Sequence, residues 1–180
     1  MPGTIPAARQ HLIDDIAKRA RALRRPRQSV GLDDFIQLYY RGVDEDDLRA
    51  TDAASLAAAA AGHLAFGASR KPGQPRVRVF NPTLERDGWE SPHTWIEFVG
   101  DDMPFLVDSL AVVLSGSGLA IQLMVHPVLR AQRDGRGRLT GLGDSDAPQG
   151  RMESWQHIAI SRTEDPGALD DGAPAGEQSV

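Results

Sequence analysis

"HTWIEFVGDDMPFLVDSLAVVLSGSGLAIQLMV" (residues 93–125) holds the pattern that decides the fold. Side chains alternate between two faces over residues 93–99, which is typical of a half-buried strand. After two aspartates and a proline, apolar residues recur at helical spacing over residues 104–115, and two glycines follow. Alternation then resumes at Leu119. The order strand, helix, strand predicts a helix that packs on one face of a sheet.

Downstream, the second strand continues toward Arg133 and meets a turn signal, Asp-Gly-Arg-Gly, at residues 134–137. The chain returns as a strand over residues 138–142, over residues 153–162, or over both. The order strand, helix, strand, strand is half of a ferredoxin-like βαββαβ unit with an antiparallel sheet. The fold class predicted is therefore α+β.

Upstream, three segments have apolar residues at helical spacing: residues 5–25, 31–43 and 51–66. A stretch rich in proline and glycine separates them from the sheet. We expect four parts: a helical segment at 1–70, a linker or edge strand at 71–92, an α/β module at 93–163 and a disordered polar tail at 164–180.

The strand phases place Trp95, Met124 and Trp155 on the sheet face away from the helix of residues 104–115. Leu123 and Val125 are assigned to the helix-covered face instead. Tryptophans are costly to leave in water, so this face is expected to be covered. The cover is either the N-terminal helices or another copy of the module. These three residues are our predicted interface.

Composition narrows the classes of function. A net charge of -5 over 180 residues gives no electrostatic footprint for nucleic acid or for an anionic membrane surface. No run approaches the roughly 20 apolar residues that span a bilayer, and the first residues lack the apolar core of a signal peptide. The chain has no cysteine, which is typical of a reducing compartment. We therefore expect a cytoplasmic protein.

The loop Asp101, Asp102, Met103 and Pro104 is the candidate ligand site. One interpretation is structural: Asp101 or Asp102 caps the helix and Pro104 takes its first position. The other is functional, since the amides at a helix start attract a carboxylate while an aspartate holds an ammonium group. The sequence has no metal-ligand spacing, no nucleophile elbow and no glycine-rich dinucleotide fingerprint. We therefore predict no metal, no catalytic residue and no cofactor in this segment.

Several long phrases resemble one known family: "KPGQPRVRVFNPTLERDGWESPHTWIEFV" (71–99), "DDMPFLVDSL" (101–110), "GLAIQLMVHPVLR" (118–130) and "ESWQHIAISR" (153–162). With "FIQLYYRGVDEDDL" (35–48), they are similar to the N-terminal region of the large bacterial NAD-specific glutamate dehydrogenases. The strand, Asp-x-Pro loop and helix also resemble the ACT domain. In its ligand-binding members, a glycine commonly follows the proline, where this chain has Phe105.

The resemblance implies a very long parent subunit whose NAD-binding catalytic domain lies far downstream, preceded by ACT-like modules. It favours a non-catalytic regulatory and oligomerisation module, with the rest of the parent chain and other subunits as partners. The parent reaction implied is oxidative deamination of L-glutamate to 2-oxoglutarate. The alternative is an amino-acid sensor that binds a small effector at the Gly100 to Pro104 loop. A small enzyme that uses the paired aspartates ranks last, because both should stay ionised beside a helix start.

Overall fold

The computed structural model describes residues 5–23 and 29–167. Four helices come first, followed by six strands with two further helices between them. The helices are α1 (Ala7–Ala20), α2 (Leu32–Tyr39), α3 (Glu45–Ala50), α4 (Ala53–Phe66), α5 (Leu84–Asp87) and α6 (Leu106–Gly116). The strands are β1 (Arg76–Phe80), β2 (Thr94–Asp101), β3 (Ile121–Val125), β4 (Val128–Arg133), β5 (Leu139–Gly143) and β6 (Arg151–Ile160).

The strands form one sheet in the order β1-β2-β6-β4-β5, and every neighbouring pair is antiparallel. β3 also pairs with β6. β2 occupies one edge of β6 along most of its length, so β3 and β4 share the other edge, on either side of His126 and Pro127. The α+β class with helices and an antiparallel, ACT-like sheet is therefore confirmed.

Helices α1, α2 and α4 cover one face of the sheet. Trp155, on β6, is completely buried there, and its ring centroid lies 5.4 Å from that of Phe35 on α2. A side chain at Gly67, just after α4, would collide with the Trp155 ring, so the helix end lies directly on the indole. Trp95 packs on the same face against α4 and Trp89. The chain's own N-terminal helices are thus the cover for both tryptophans.

The opposite face carries α6. Here Leu114 of α6 packs with Ile96, Ile158 and Ile160 of the sheet, and Met124 joins this cluster. The predicted phase of β3 is therefore wrong: Met124 lies on the α6 face, whereas Leu123 and Val125 pack toward the helical layer. The register of β3 shifts between Ile121 and Leu123, and such an irregularity reverses which side chains face each way.

The hairpin between β4 and β5 forms at the predicted turn. The Asp134 carboxylate accepts hydrogen bonds from the backbone N–H groups of Arg136 and Arg138, at 2.9 and 3.0 Å. Both candidate return segments are strands. The division of the chain into four parts stays a prediction, and the disordered tail falls largely on residues 168–180, outside the described part. No helix among the described residues is long and apolar enough to cross a membrane.

Candidate functional site

The Gly100 to Pro104 loop is held by a charged network at the end of β2. Arg70, from the connection between α4 and β1, donates a hydrogen bond of 2.6 Å to Asp101 Oδ1. The backbone N–H of Gly73 donates to Asp101 Oδ2 at 3.2 Å. The Arg70 hydrogen bond is the main reason that the pKa of Asp101 is lowered. Asp101 is therefore ionised and both of its carboxylate oxygens have partners.

Glu153 of β6 is the centre of this network. Its side chain is only 1% exposed, and it accepts hydrogen bonds from Arg70 at 2.6 Å and from Arg133 of β4 at 2.8 and 2.9 Å. Burial alone would raise the pKa of Glu153, but the hydrogen bonds from Arg133 and Arg70 outweigh it and leave the pKa lowered. The network ties β2, β4 and β6 to the connection that follows α4.

Neither aspartate caps α6. The described contacts show no side-chain cap for this helix, and its N-cap residue is Phe105, with φ 63° in the left-handed region. The Asp102 N–H donates to the carbonyl of Met152, which keeps the chain extended beyond Asp101. The helix therefore begins at Leu106 instead of Pro104. The predicted capping role is wrong because the Asp101 carboxylate accepts a hydrogen bond from Arg70, and because the backbone at Asp102 is still hydrogen-bonded to β6.

The four predicted ligand residues divide into two groups. Asp101 faces the arginine network, while Asp102, Met103 and Pro104 are exposed to solvent. Phe105, which follows Pro104, has a positive φ, a conformation that glycine adopts more easily than other residues. An effector bound at this loop stays a prediction, and it would meet Asp102 rather than the paired Asp101.

A second group of ionisable side chains lies between the sheet and α4. His63 Nε2 lies 3.2 Å from the carbonyl oxygen of Phe98, which only accepts, so this nitrogen carries the proton. Its Nδ1 then accepts from the Tyr39 hydroxyl at 2.7 Å. Burial lowers the pKa of His63 to about 3. His63 is thus a neutral, hydrogen-bonded residue of the core.

Glu97 and His157 complete this buried group. Glu97 accepts hydrogen bonds from Arg78 at 2.7 and 3.0 Å, and His157 Nε2 lies 3.7 Å from its other oxygen without a hydrogen-bond partner. Burial raises the pKa of Glu97 to about 7, although Arg78 acts in the opposite direction. Burial also lowers the pKa of His157 well below its usual value. These residues form an internal, pH-sensitive contact rather than an open site.

Arg70, Arg133 and Glu153 were not among the predicted site residues. The available signal was the alternation of β6, which places Glu153 on the same inward face as Trp155 and His157. A charged residue in that position needs a buried partner. The partners come from two distant parts of the chain, which periodicity does not identify.

The turn between β2 and α6 lacks the features of a dinucleotide site. The turn between β2 and α6 carries two aspartates and no glycine-rich sequence, so it would repel a pyrophosphate instead of binding it. Among the described residues, no group of three or more histidine or acidic side chains is arranged to hold a metal ion.

Comparison with known proteins gives a consistent result. A family model described as "Glutamate dehydrogenase, ACT1 domain" matches residues 35–171. An NAD-specific glutamate dehydrogenase of Halomonas elongata is 33% identical over 167 residues, which are 91% of this chain and 10% of that protein. One of Pseudomonas aeruginosa is 37% identical over 98 residues, or 53% of this chain and 6% of that protein. The chain thus spans a tenth or less of the length of these relatives. No solved structure matches significantly.

Proposed function

The chain belongs to the glutamate dehydrogenase ACT1 domain family, and from that membership we propose that it is a non-catalytic regulatory and assembly module of an NAD-specific glutamate dehydrogenase. The parent reaction is the oxidative deamination of L-glutamate to 2-oxoglutarate, in the cytoplasm. NAD and the reacting groups belong to the part of the parent enzyme outside this chain. The relatives' names and the poor fit of the β2–α6 turn to a dinucleotide support this division.

The observation that carries the proposal is an apolar surface on α6 and the loop before it. Four large apolar side chains are mostly exposed there: Met103 (54%), Phe105 (75%), Val112 (71%) and Val113 (63%). We call these four residues the α6 surface. Leu114 is the only buried residue of the helix. Leu110 packs beside it toward the sheet, and the exposed apolar side chains of the helix are Val112 and Val113.

Such a surface is expected to be covered in the complete enzyme. Burying apolar area contributes about 25 cal/mol per Å², and contiguous apolar patches on proteins commonly mark interaction sites. The chain corresponds to a tenth of the Halomonas elongata relative, so most of the parent polypeptide lies outside it. We assign the α6 surface to contact with that remaining polypeptide. Trp95 and Trp155 are buried under the chain's own helices, so the contact uses α6 instead of the predicted tryptophan face.

The test places charge on the α6 surface of the full-length enzyme. Val112→Lys and Val113→Lys should weaken assembly, as measured by sedimentation velocity over a range of protein concentrations. Thr140→Lys adds the same charge at an exposed polar position on β5, away from α6, and should leave assembly unchanged. The turnover number of the enzyme that remains assembled should be preserved, because the module holds no reacting group.

Two results would refute this assignment. If both valine variants assemble like the unchanged enzyme, the α6 surface is not a contact. If the 180-residue chain alone dimerises, and Val112→Lys abolishes the dimer, the occupant is a second copy of the module and not the rest of the polypeptide.

A second function, sensing of an amino acid, is favoured by one observation. Asp102 is exposed beside a start of α6 that has no side-chain cap in the described structure. An amino acid could bind here, with its ammonium group on the Asp102 carboxylate and its own carboxylate on the backbone amides at the start of α6. L-glutamate or another amino acid at 100 times its Kd should raise the stability of the chain by about 2.7 kcal/mol. Asp102→Asn should remove that increase, and an unchanged increase in the variant would exclude the loop as the site.

A further inference from the structure

A cleft of about 390 Å³ opens beside the buried charge network, away from the α6 surface. The β4–β5 hairpin, the loop before β6 and the connection after α4 form its walls. Its polar lining comes from Arg70, Gln132, Arg133, Asp134, Gln149, Arg151 and Glu153. Arg70, Arg133 and Glu153 are more than nine-tenths buried, so the floor is a fixed array of charges.

The charges around the cleft do not cancel. Arg70 and Arg133 share Glu153, Arg70 also pairs with Asp101, and Arg138 pairs with Asp134 at 2.7 Å. Arg151 makes no side-chain hydrogen bond or ion pair within residues 5–23 and 29–167, and it helps to lower the pKa of Asp101 through its charge. Four arginines are therefore set against three carboxylates, those of Asp101, Asp134 and Glu153. One positive charge, that of Arg151, is left at the rim, although the net charge of the chain is -5.

Hydrogen-bond donors without protein partners line the same cleft. The side-chain amide of Gln149 donates to no other group in the described part of the chain, and it is exposed. Gly150 places Gln149 and Arg151 close to β4. Its φ is 106°, and a Cβ there would lie 2.8 Å from the Ala131 carbonyl oxygen. Only glycine permits this approach.

We propose that this cleft binds a small oxyanion, a metabolite that carries a carboxylate or phosphate group. Arg151 supplies the uncompensated charge and a planar pair of N–H donors. The side-chain amide of Gln149 adds donors at the rim of this fixed floor. The site goes beyond the proposed assembly role, because it shares no residue with the α6 surface.

The test measures binding of two probes to the 180-residue chain at constant ionic strength, by NMR shifts of the arginine Nε–Hε groups and the glutamine side-chain amides. Inorganic phosphate represents a phosphate ligand and glutarate a dicarboxylate. At least one of them should bind with saturation and shift the Arg151 and Gln149 signals. Whichever probe binds tighter identifies the class of anion.

Arg151→Gln should weaken that binding at least tenfold. Arg151 is exposed and has no partner in the described chain, so this variant should fold normally, which thermal unfolding checks. Arg49→Gln on α3 removes the same charge far from the cleft and should not change the affinity. If neither probe saturates below about 10 mM, or if both variants weaken binding equally, the cleft is not an anion site. These outcomes leave the assembly test on α6 unaffected.

Discussion

At the scale of single residues, the ionisation of Glu97 is set by its place between the sheet and the helical layer. Burial raises its pKa from 4.5 to about 7, while Arg78 lowers it and Asp87 raises it slightly. A carboxyl whose pKa is higher in the folded state adds stability below its unfolded pKa, and this is lost as pH rises through the folded pKa. For Glu97 the window is about pH 4.5 to 7.

His63 and His157 have the opposite linkage. Burial lowers both pKa values from 6.5. Their contribution is complete above pH 6.5 and is lost as pH falls toward the folded values. Below pH 6.5, acid therefore weakens the fold through two histidines, while Glu97 opposes that loss.

Glu97→Gln removes the opposing group. We expect the substitution to lower the free energy of unfolding more at pH 5 than at pH 8. The difference between the two pH values should be roughly 2 to 3 kcal/mol, because each unit of pKa difference contributes about 1.4 kcal/mol. Urea unfolding at pH 5, 6, 7 and 8 measures the difference.

Glu85→Gln, at an exposed position on α5, is the control and should follow the unchanged chain at every pH. If the effect of Glu97→Gln is the same at pH 5 and pH 8, Glu97 has an ordinary pKa in the fold.

At the scale of elements, the start of α6 shows how a loop shifts a helix boundary. The proline favoured a helix start at Pro104, but the residue before a proline is held in an extended conformation, and here the loop also keeps its hydrogen bond to β6. The chain turns only at Phe105, in a conformation that costs most residues about 1 to 2 kcal/mol. The boundary therefore depends on pairing between β2 and β6, which the local sequence does not display.

Phe105→Asn should stabilise the isolated chain by about 1 kcal/mol, because asparagine tolerates the left-handed conformation and Phe105 buries little surface to lose. Denaturant unfolding measures this gain. In the full-length enzyme, the same substitution should weaken assembly, since it removes the most exposed side chain of the α6 surface.

Met103→Asn is the matched control, since it also replaces an exposed apolar residue but not one with positive φ. Its stability should change by less than about 0.5 kcal/mol. Equal effects of the two substitutions would show that backbone strain at Phe105 contributes nothing.

At the scale of the whole molecule, Glu153 connects parts that lie far apart in sequence. Its two arginines come from the connection after α4 and from β4, and Arg70 continues the link to β2. Glu153→Gln would leave Arg133 and Arg70 without their shared countercharge inside the protein. Breaking a buried ion pair from one side costs about 3 to 5 kcal/mol, and urea unfolding at pH 7 should show a loss of that size.

Arg49→Gln provides the comparison, because it breaks an exposed pair with Glu45 within α3. It should cost at most about 0.5 kcal/mol. A loss below about 1 kcal/mol for Glu153→Gln would mean that water replaces the arginines and that the network does not hold the sheet to the helical layer.

The sequence by itself determined α1, α2, α4 and α6, the strands of the second half and the family, because periodicity, turn residues and long shared phrases are local properties of the chain. It also placed Trp95 and Trp155 on a face that needs a cover. It did not predict the short helices α3 and α5. Only the tertiary structure decided that α2 and α4 provide this cover, that Met124 faces α6, and that Asp101 pairs with Arg70. These outcomes depend on a shift of register in β3 and on pairing between segments up to 83 residues apart. A one-residue shift reverses the faces of a strand, and a buried charge pairs with whichever group lies near it in space. The local sequence pattern therefore predicts neither the orientation of the β3 side chains nor the partner of Asp101.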